Sequence, residues 1–389
     1  MIERLILRSF FFELLPLLLV QAGILYELKK EGGRWRGWAA AGIVWAMALA
    51  LLGNAAGALA LYGIGVDSEV SRLIARMGGA VSVWLFASAP AYGIYLIGGW
   101  VRRRVPAGVS TERRQLLRSA TVAAVATPFA AMAYGIAVGR VDFRVREVAL
   151  KIPGLHPDLE GLRIVHLSDI HLGEFLSARE LERAIDLANG LRPHLAIMTG
   201  DLISRPGDPM ELCVQHLARV RADAGMVGCL GNHEMYARVE AQVKAEAAKR
   251  GIPFLREENR ELRFGQARLN IGGVDYQRFG PREEYLKGAE KLLAGGAFNL
   301  LLSHNPDVFP VAARQGWDLT LSGHTHGGQV TVEIVEQNLN VMRFFTPYVA
   351  GEYHLGRAGC YVTRGIGTVG LPARVGVPPE ITLLRLGKA

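Results

Sequence analysis

Three long runs of this chain carry no charged residue: 37–66, 77–101 and 119–139. A helix needs about 20 apolar residues to cross a hydrocarbon core about 30 Å thick, and each run is long enough. A fourth candidate, 9–26, comes earlier and is interrupted by Glu13 and Pro16. Together these predict an N-terminal region, residues 1–140, of about four transmembrane helices, at 9–26, 38–63, 77–100 and 119–139. The competing reading of any single run is a buried core helix. Uninterrupted apolar length argues against that for the first two charge-free runs.

Charge is placed to match. The formal net charge is +8, and residues 1–148 supply all of it, with 17 Lys+Arg against 9 Asp+Glu. A pI of about 9.5 would otherwise suggest a nucleic-acid partner. With residues 149–389 neutral, the basic excess reads as loops flanking membrane spans, and no nucleic acid is expected. Lys29, Lys30, Arg34 and Arg36 follow the first span; Arg102, Arg103, Arg104, Arg113, Arg114 and Arg118 follow the third. The loop between spans two and three holds only Arg72 and Arg76, beside Asp67 and Glu69. Lys and Arg favour the cytoplasmic side. The C-terminal domain is therefore expected outside the cytoplasm, on a multi-pass protein of the inner (plasma) membrane. Glu112-Arg113-Arg114-Gln115-Leu116-Leu117-Arg118 before an Ala-rich stretch also looks like a twin-arginine export signal, against the plain reading of a basic flank.

Past Arg140 the texture changes. Short Val- and Ile-rich runs at 162–167, 194–198, 225–230, 269–274, 299–303 and 319–322 read as strands. Residues 178–189, 209–221 and 238–250 read as helices. This alternation predicts an α/β domain over 145–389. The strand-rich stretch 331–386 predicts a second sheet packed on the first, an αββα sandwich. Residues 141–160 read as a linker, about 20 residues long, whose Val/Phe/Val alternation makes an edge strand. Cys213, Cys229 and Cys360 form neither a disulfide framework nor a zinc knuckle and read as small buried residues.

The polar residues fall at strand ends. Asp169 and His171 follow the first strand, Asp201 the second through Gly200, and Asn232 and His233 the third through Gly231. His304 follows the 299–303 strand; His324 and His326 follow 319–322 through Gly323. Ligands collect at the carboxyl ends of strands in open α/β sheets, so these side chains should converge on one rim. Two carboxylates, an Asn and several imidazoles brought together would repel one another and lose their solvation. Divalent ions resolve this, and an oxygen and imidazole donor set without thiolate suits Mn, Fe, Zn or Co. The ligands outnumber what one ion needs. Two ions about 3.5–4 Å apart, sharing a carboxylate, form a clamp for displacement at phosphorus.

The blocks Asp169-Ile170-His171, Gly200-Asp201, Gly231-Asn232-His233-Glu234, His304 and Gly323-His324-Thr325-His326 resemble, in order and spacing, the calcineurin-like metallophosphoesterases, over roughly 145–389. Ser168–Gly173, Gly327-Gly328-Gln329 and Arg364-Gly365-Ile366-Gly367 are similar to the bacterial membrane-associated branch, where some members carry twin-arginine signals and relatives act on lipid-linked nucleotide sugars. The resemblance implies that Asp169, His171 and His326 hold one ion (Mn, Zn or Fe) and Asn232, His304 and His324 a second. Asp201 would bridge them, together with a hydroxide that attacks phosphorus in line. His233 would bind substrate, stabilising the phosphoryl oxygens or protonating the leaving oxygen. One departure stands out. Many family members carry a second Asp three residues after the bridging one, to orient the catalytic His; here that position is Ser204. Glu234 and Asp275 are candidates for that support, and Asp275 is also a candidate for substrate contact.

Other polar residues read as bland. His166 is expected to be structural, and His156, His194, His216 and His354 surface or packing residues. Arg205 and Arg364 would either meet a phosphate or stay solvated. Gly272-Gly273 and Gly327-Gly328 are expected to be tight turns beside the metals. The leading function is a membrane-anchored metal-dependent phosphoesterase cleaving a phosphodiester or phosphomonoester, with a lipid-linked or cell-envelope substrate. A cytoplasmic-face pyrophosphatase on a nucleotide-linked lipid precursor of the UDP-diacylglucosamine type is the alternative. A metal-bound sensor without turnover is a third reading; the presence of His233, which binds no metal in the family, argues against it.

Overall fold

A computed structural model describes residues 15–31, 37–48, 68–106, 108–277, 281–334 and 337–389. It divides into two compact units, Met1–Ala137 with Gly370–Ala373, and Val138–Val369 with Arg374–Ala389. In the first unit lie the helices α1 (Leu15–Glu31), α2 (Gly37–Ala48), α3 (Ser68–Arg104) and α4 (Thr111–Ala137). Met77–Arg104 and Thr111–Val141 are long and apolar enough to cross a membrane. They leave Ile97, Trp100, Leu116, Val122 and Tyr134 exposed, an apolar surface suited to lipid. Gly98 on α3 lets the Thr121 side chain of α4 approach its backbone, the small-residue contact of membrane helix pairs. Gln21 on α1 is buried and satisfied from α3: it donates to Ser88 Oγ at 2.8 Å and accepts from Trp84 Nε1 at 3.0 Å.

Two such helices, not about four, are found among the described residues. Of the 9–26 candidate, residues 9–14 lie outside the described residues and the rest falls in the 17-residue α1. Of 38–63, residues 49–63 lie outside them, and the described part is the short α2. The expected basic loop after the third span is also shorter. Arg102–Arg104 end α3, and Arg113, Arg114 and Arg118 lie in the first turns of α4, which begins eight residues earlier than expected. Arg, Gln and Leu are good helix formers, so the helix runs on past its apolar core.

The second unit is built on two sheets. The first has the order β1-β13-β2-β3-β4, from β1 (Arg144–Ile152), β2 (Arg163–Leu167), β3 (Leu195–Thr199), β4 (Met226–Cys229) and β13 (Glu380–Lys388). The second runs β11-β12-β8-β7-β6-β5, from β5 (Glu258–Phe264), β6 (Ala267–Gly273), β7 (Phe298–Leu302), β8 (Leu319–Ser322), β11 (Gly351–Leu355) and β12 (Ala358–Val362). The expected linker is itself the edge strand β1, parallel to β13 over nine residue pairs. Strands β2 to β4 are mutually parallel, as are β6, β7, β8 and β12. Of these, β3, β4, β7, β8 and β12 are buried along their whole length, with runs such as LAIMT and FNLLL, as strands covered on both faces must be.

Ile164, Leu195, Ile197 and Val227 of the first sheet meet Leu269, Ile271, Leu300, Leu319 and Leu321 of the second in the central core. The outer face of the first sheet packs on α5 (Ala178–Gly190), α6 (Met210–Leu217) and α8 (Glu240–Ala248). Helix α5 opens on a capping box between Ser177 and Glu180. The outer face of the second sheet packs on α9 (Phe309–Gln315) and on Trp317. Helix, sheet, sheet and helix thus form four layers. The chain fills them differently from expectation. Only β11 and β12 of the 331–386 stretch join the second sheet; β13 returns to the first, and β9 (Thr331–Ile334) pairs with β10 (Gln337–Asn340) as a separate hairpin. Gly272 and Gly273 are not a turn but the end of β6, where they make room for the Trp317 ring and for Leu255.

Candidate metal centre

Five strands, three of the first sheet and two of the second, end at one place, and the backbone there is unusual. Asp169, His171, Asp201, His324 and His326 all have positive φ, between 51° and 74°. Non-glycine residues are uncommon there, and such strain collects at functional sites. Hydrogen bonds hold it. Asp169 N–H donates to Gly200 O and His171 N–H to Asp201 O, so the turns after β2 and β3 continue their pairing. Gly231 and Gly323 sit against the carboxylates of Asp201 and Asp169, where a Cβ would collide.

Each carboxylate is anchored by one backbone amide and turned inward. His324 N–H donates to Asp169 Oδ1 at 2.9 Å. His233 N–H donates to Asp201 Oδ1 at 2.9 Å, leaving Oδ2 free to face two imidazoles. That oxygen stands 3.0 Å from His304 Nε2 and 3.5 Å from His171 Nε2. His171 Nε2 in turn lies 3.1 Å from His326 Nε2, which is 3.4 Å from Asp169 Oδ1. Asp169, His171 and His326 make one cluster able to hold a cation; Asp201, His304 and His324 make another.

The residues fit metal ions on a test the chain itself provides. His304 Nδ1 lies 2.6 Å from Thr199 O, a contact in which Nδ1–H donates, so Nε2 is the nitrogen that faces the carboxylates of Asp201 and Asp169. Asn232 Oδ1 is buried and has no hydrogen-bond partner. An orphaned buried acceptor and an imidazole nitrogen set against two carboxylates call for a cation, which would displace the proton that Nε2 carries without it. Burial, then the neighbouring imidazoles, hold His171 and His326 well below the usual histidine range, so both are neutral donors. Burial raises Asp169 to about 6, with Asp201 adding and His304 opposing.

A profile of the family described as calcineurin-like phosphoesterase matches residues 162–328. The chain belongs to the calcineurin-like phosphoesterases. It is 29% identical over 230 residues to the uncharacterized metallophosphoesterase YkuE of Bacillus subtilis, which covers 58% of this chain and 79% of that protein. It is 31% identical to the uncharacterized metallophosphoesterase Cj0846 of Campylobacter jejuni, over 62% of this chain and 63% of that one. A zebrafish protein named transmembrane protein with metallophosphoesterase domain is 30% identical, over 66% of this chain and 60% of its own length. The chain is accordingly a hydrolase of phosphate esters that depends on metal.

Within this phosphoesterase, the support for His233 differs from expectation. His233 lies in the helix α7 (Asn232–Ala237), and its Nδ1 is 2.5 Å from the backbone carbonyl of Ser204, the position where many members carry an acid. Ser204 Oγ is 3.1 Å from His171 Nδ1, so one residue positions both histidines. Glu234 does not reach His233. It is fully buried and accepts the N–H groups of Asp201, Leu202 and Gly231 at 2.7–2.9 Å, clamping the two metal-bearing turns together. Asp275 pairs with Arg256 through contacts of 2.7–3.1 Å and does not support His233.

Three neighbours were not expected from the sequence. Tyr276 Oη lies 3.2 Å from His324 Nε2. Asp208 Oδ2 accepts the N–H groups of Ser204 and Arg205 at 2.9 and 3.0 Å. Arg374 is buried, spends its donors on the carbonyls of Arg364, Gly365, Gly367 and His326, and lies 3.4 Å from His326 Nδ1. Arg364 stands 3.6 Å from Glu380. Of the remaining histidines, buried His166 bonds Thr199 Oγ1, His156 caps a short turn, His194 accepts from Arg163 N–H and His354 pairs with Glu352, whereas Nδ1 of His216 is buried without a hydrogen-bond partner. The three cysteines are free and buried.

Proposed function

We propose that this chain is a membrane-anchored, two-metal phosphoesterase that hydrolyses a phosphodiester or phosphomonoester of a lipid-linked or cell-envelope substrate. The observation that carries the reading is the placement of Asp201 Oδ2 between His304 Nε2 and His171 Nε2, with the buried Oδ1 of Asn232 left without a partner. Asp169, His171 and His326 would hold one ion; Asn232, His304 and His324 the other; Asp201 both. When bound, divalent ions at such a site supply Lewis acidity toward phosphoryl oxygens and lower the pKa of water. His233, with Nδ1–H given to Ser204 O, presents Nε2 to the substrate, to steady a phosphoryl oxygen or hand a proton to the leaving oxygen. Membrane anchoring draws on the two apolar helices and on the transmembrane relatives. The basic helix ends at Arg102–Arg104 and Arg113–Arg118 favour a cytoplasmic location for themselves and an extracytoplasmic domain.

The test is hydrolysis of bis(p-nitrophenyl) phosphate and p-nitrophenyl phosphate, side by side, by the full chain stripped of metal and reloaded with Mn, Zn or Fe. Turnover restored by metal and lost in Asp201→Asn supports the reading, and the ratio of the two rates assigns diester or monoester preference. Metal uptake without turnover of either ester would favour a sensor. A reporter fused after Ala389 that works only in the cytoplasm would overturn the orientation.

A further inference from the structure

Of the four imidazoles in the two cation clusters, three turn the same nitrogen inward. His171 Nδ1 lies 3.1 Å from Ser204 Oγ, His304 Nδ1 2.6 Å from Thr199 O, and His326 Nδ1 3.4 Å from Arg374. Each of these rings gives Nε2 to the carboxylates. His324 is turned the other way. Its Nε2 is engaged outside the cluster, 3.2 Å from Tyr276 Oη. Nδ1 is then the atom that His324 can offer beside Asp201 and His304.

Tyr276 is no passing surface ring. It is half-buried, and its centroid lies 5.2 Å from that of His324 and 5.9 Å from that of His304. The backbone is held on both sides of it. Asp275 N–H donates to Glu257 Oε1 at 3.1 Å, and the Asp275 carboxylate pairs with Arg256. Gln277 O accepts from the Asn305 amide at 2.7 Å, and Asn305 directly follows His304. The segment that carries Tyr276 is thus tied to the segment that carries His304.

We propose that Tyr276 is a positioning residue for the second ion, the one assigned to Asn232, His304 and His324; the proposal rests on the two-metal reading. Tyr276 Oη accepts the Nε2–H of His324 and fixes the ring in the tautomer whose Nδ1 lone pair is open to metal. A hydroxyl can donate or accept. If it donated to Nε2, the proton of the neutral ring would sit on Nδ1 and block the ion, so ion binding selects the accepting state.

The test is Tyr276→Phe, which removes Oη and keeps the ring. Mn(II) is titrated by calorimetry into the metal-free full chain in detergent, and the loaded samples are read by electron paramagnetic resonance. One of the two dissociation constants is expected to rise about 10- to 100-fold while the other holds. The spin-coupled signal of paired Mn(II) should give way to the hyperfine-split signal of isolated Mn(II), with the Tm of the metal-free chain unchanged. In a His324→Ala background, where the ring is gone, Tyr276→Phe should weaken metal binding no further. Unchanged affinity for both ions, equal weakening of both, a lowered metal-free Tm, or a further loss in the His324→Ala background overturns the positioning role. So does a visible charge-transfer band on Fe(III) loading that Tyr276→Phe removes, since Tyr276 would then be a ligand itself. A wild-type chain that takes up a single Mn(II), with no coupled signal, would instead overturn the two-metal reading beneath it.

Discussion

The backbone carbonyl of Ser204 lies 2.5 Å from Nδ1 of His233. A carbonyl accepts but carries no charge, so this histidine is oriented without the carboxylate that many relatives use. What holds the carbonyl is Asp208, whose Oδ2 takes the N–H groups of Ser204 and Arg205. Asp208→Ala frees that turn and lets His233 drift. Turnover of p-nitrophenyl esters is expected to fall roughly 10- to 100-fold, the scale of a small misplacement. Metal content, read by elemental analysis, should stay that of the wild type, because no ligand is touched. Asp208→Asn keeps an acceptor and should lose much less. Equal losses in the two variants would remove Asp208 from this role.

Glu234 makes a prediction about stability. Its carboxylate accepts three backbone N–H groups in a fully buried position. Glu234→Ala orphans all three donors, and each buried orphan costs about 1–3 kcal/mol. The expected loss is about 3 kcal/mol or more, with a clear drop in Tm of the metal-free chain in detergent. Glu234→Gln retains one carbonyl acceptor and should fall between. A Tm unchanged in Glu234→Ala would show that water replaces the carboxylate freely.

The strand ends were legible because short apolar runs followed at once by Gly or Ser and a metal-competent side chain leave little freedom. β2, β3, β4, β7 and β8 lie within a residue or two of where the pattern puts them. Less legible was anything decided by contacts between distant segments. Glu234 reads as a neighbour of His233 in sequence, yet its side chain turns toward Asp201. Asp275 sits at a strand end like the ligands, but Arg256 arrives from the bend before β5 to pair with it. Gly272-Gly273 has the look of a turn, and only the Trp317 ring against Gly272 and Leu255 against Gly273, both distant in sequence, explain why β6 ends in two glycines. Arg374 had no signal at all, since a buried Arg satisfied by carbonyls leaves no mark in local pattern.

The metal-free site has a definite pH dependence. Burial opposes a charge on His304, but Asp201 at 3.0 Å and Asp169 at 3.9 Å outweigh it and raise its pKa to about 9. A histidine raised above its unfolded value of about 6.5 stabilises the fold fully below that pH. The contribution is lost as pH rises toward 9, with a slope approaching about 1.4 kcal/mol per unit. The metal-free chain should therefore lose stability from about pH 6.5 to 9, and His304→Gln should lack that part of the slope. At pH 7.5 metal binding must expel the proton, so calorimetry in buffers of different ionisation enthalpy should register its release. Binding without proton release in that range would contradict the raised pKa.

Asp201→Asn separates geometry from charge at the centre. The amide oxygen can still accept the His233 N–H, so the turn after β3 keeps its anchor. The NH2 group then takes the place of Oδ2, pointing a donor at His304 Nε2 and His171 Nε2 where an anion had faced both. It suits two neutral imidazoles well and two cations badly. Above about pH 9, where His304 is neutral in both proteins, the folded, metal-free variant should be about as stable as the wild type, while its metal content falls from two ions toward one or none. Turnover should drop by at least about a hundredfold, because removal of a preorganised charge from the reacting centre costs that much. The decisive comparison is metal stoichiometry beside the unfolding curve. Loss of metal with an intact transition assigns Asp201 to the ions, whereas loss of both would mean that the carboxylate is needed to fold the turn.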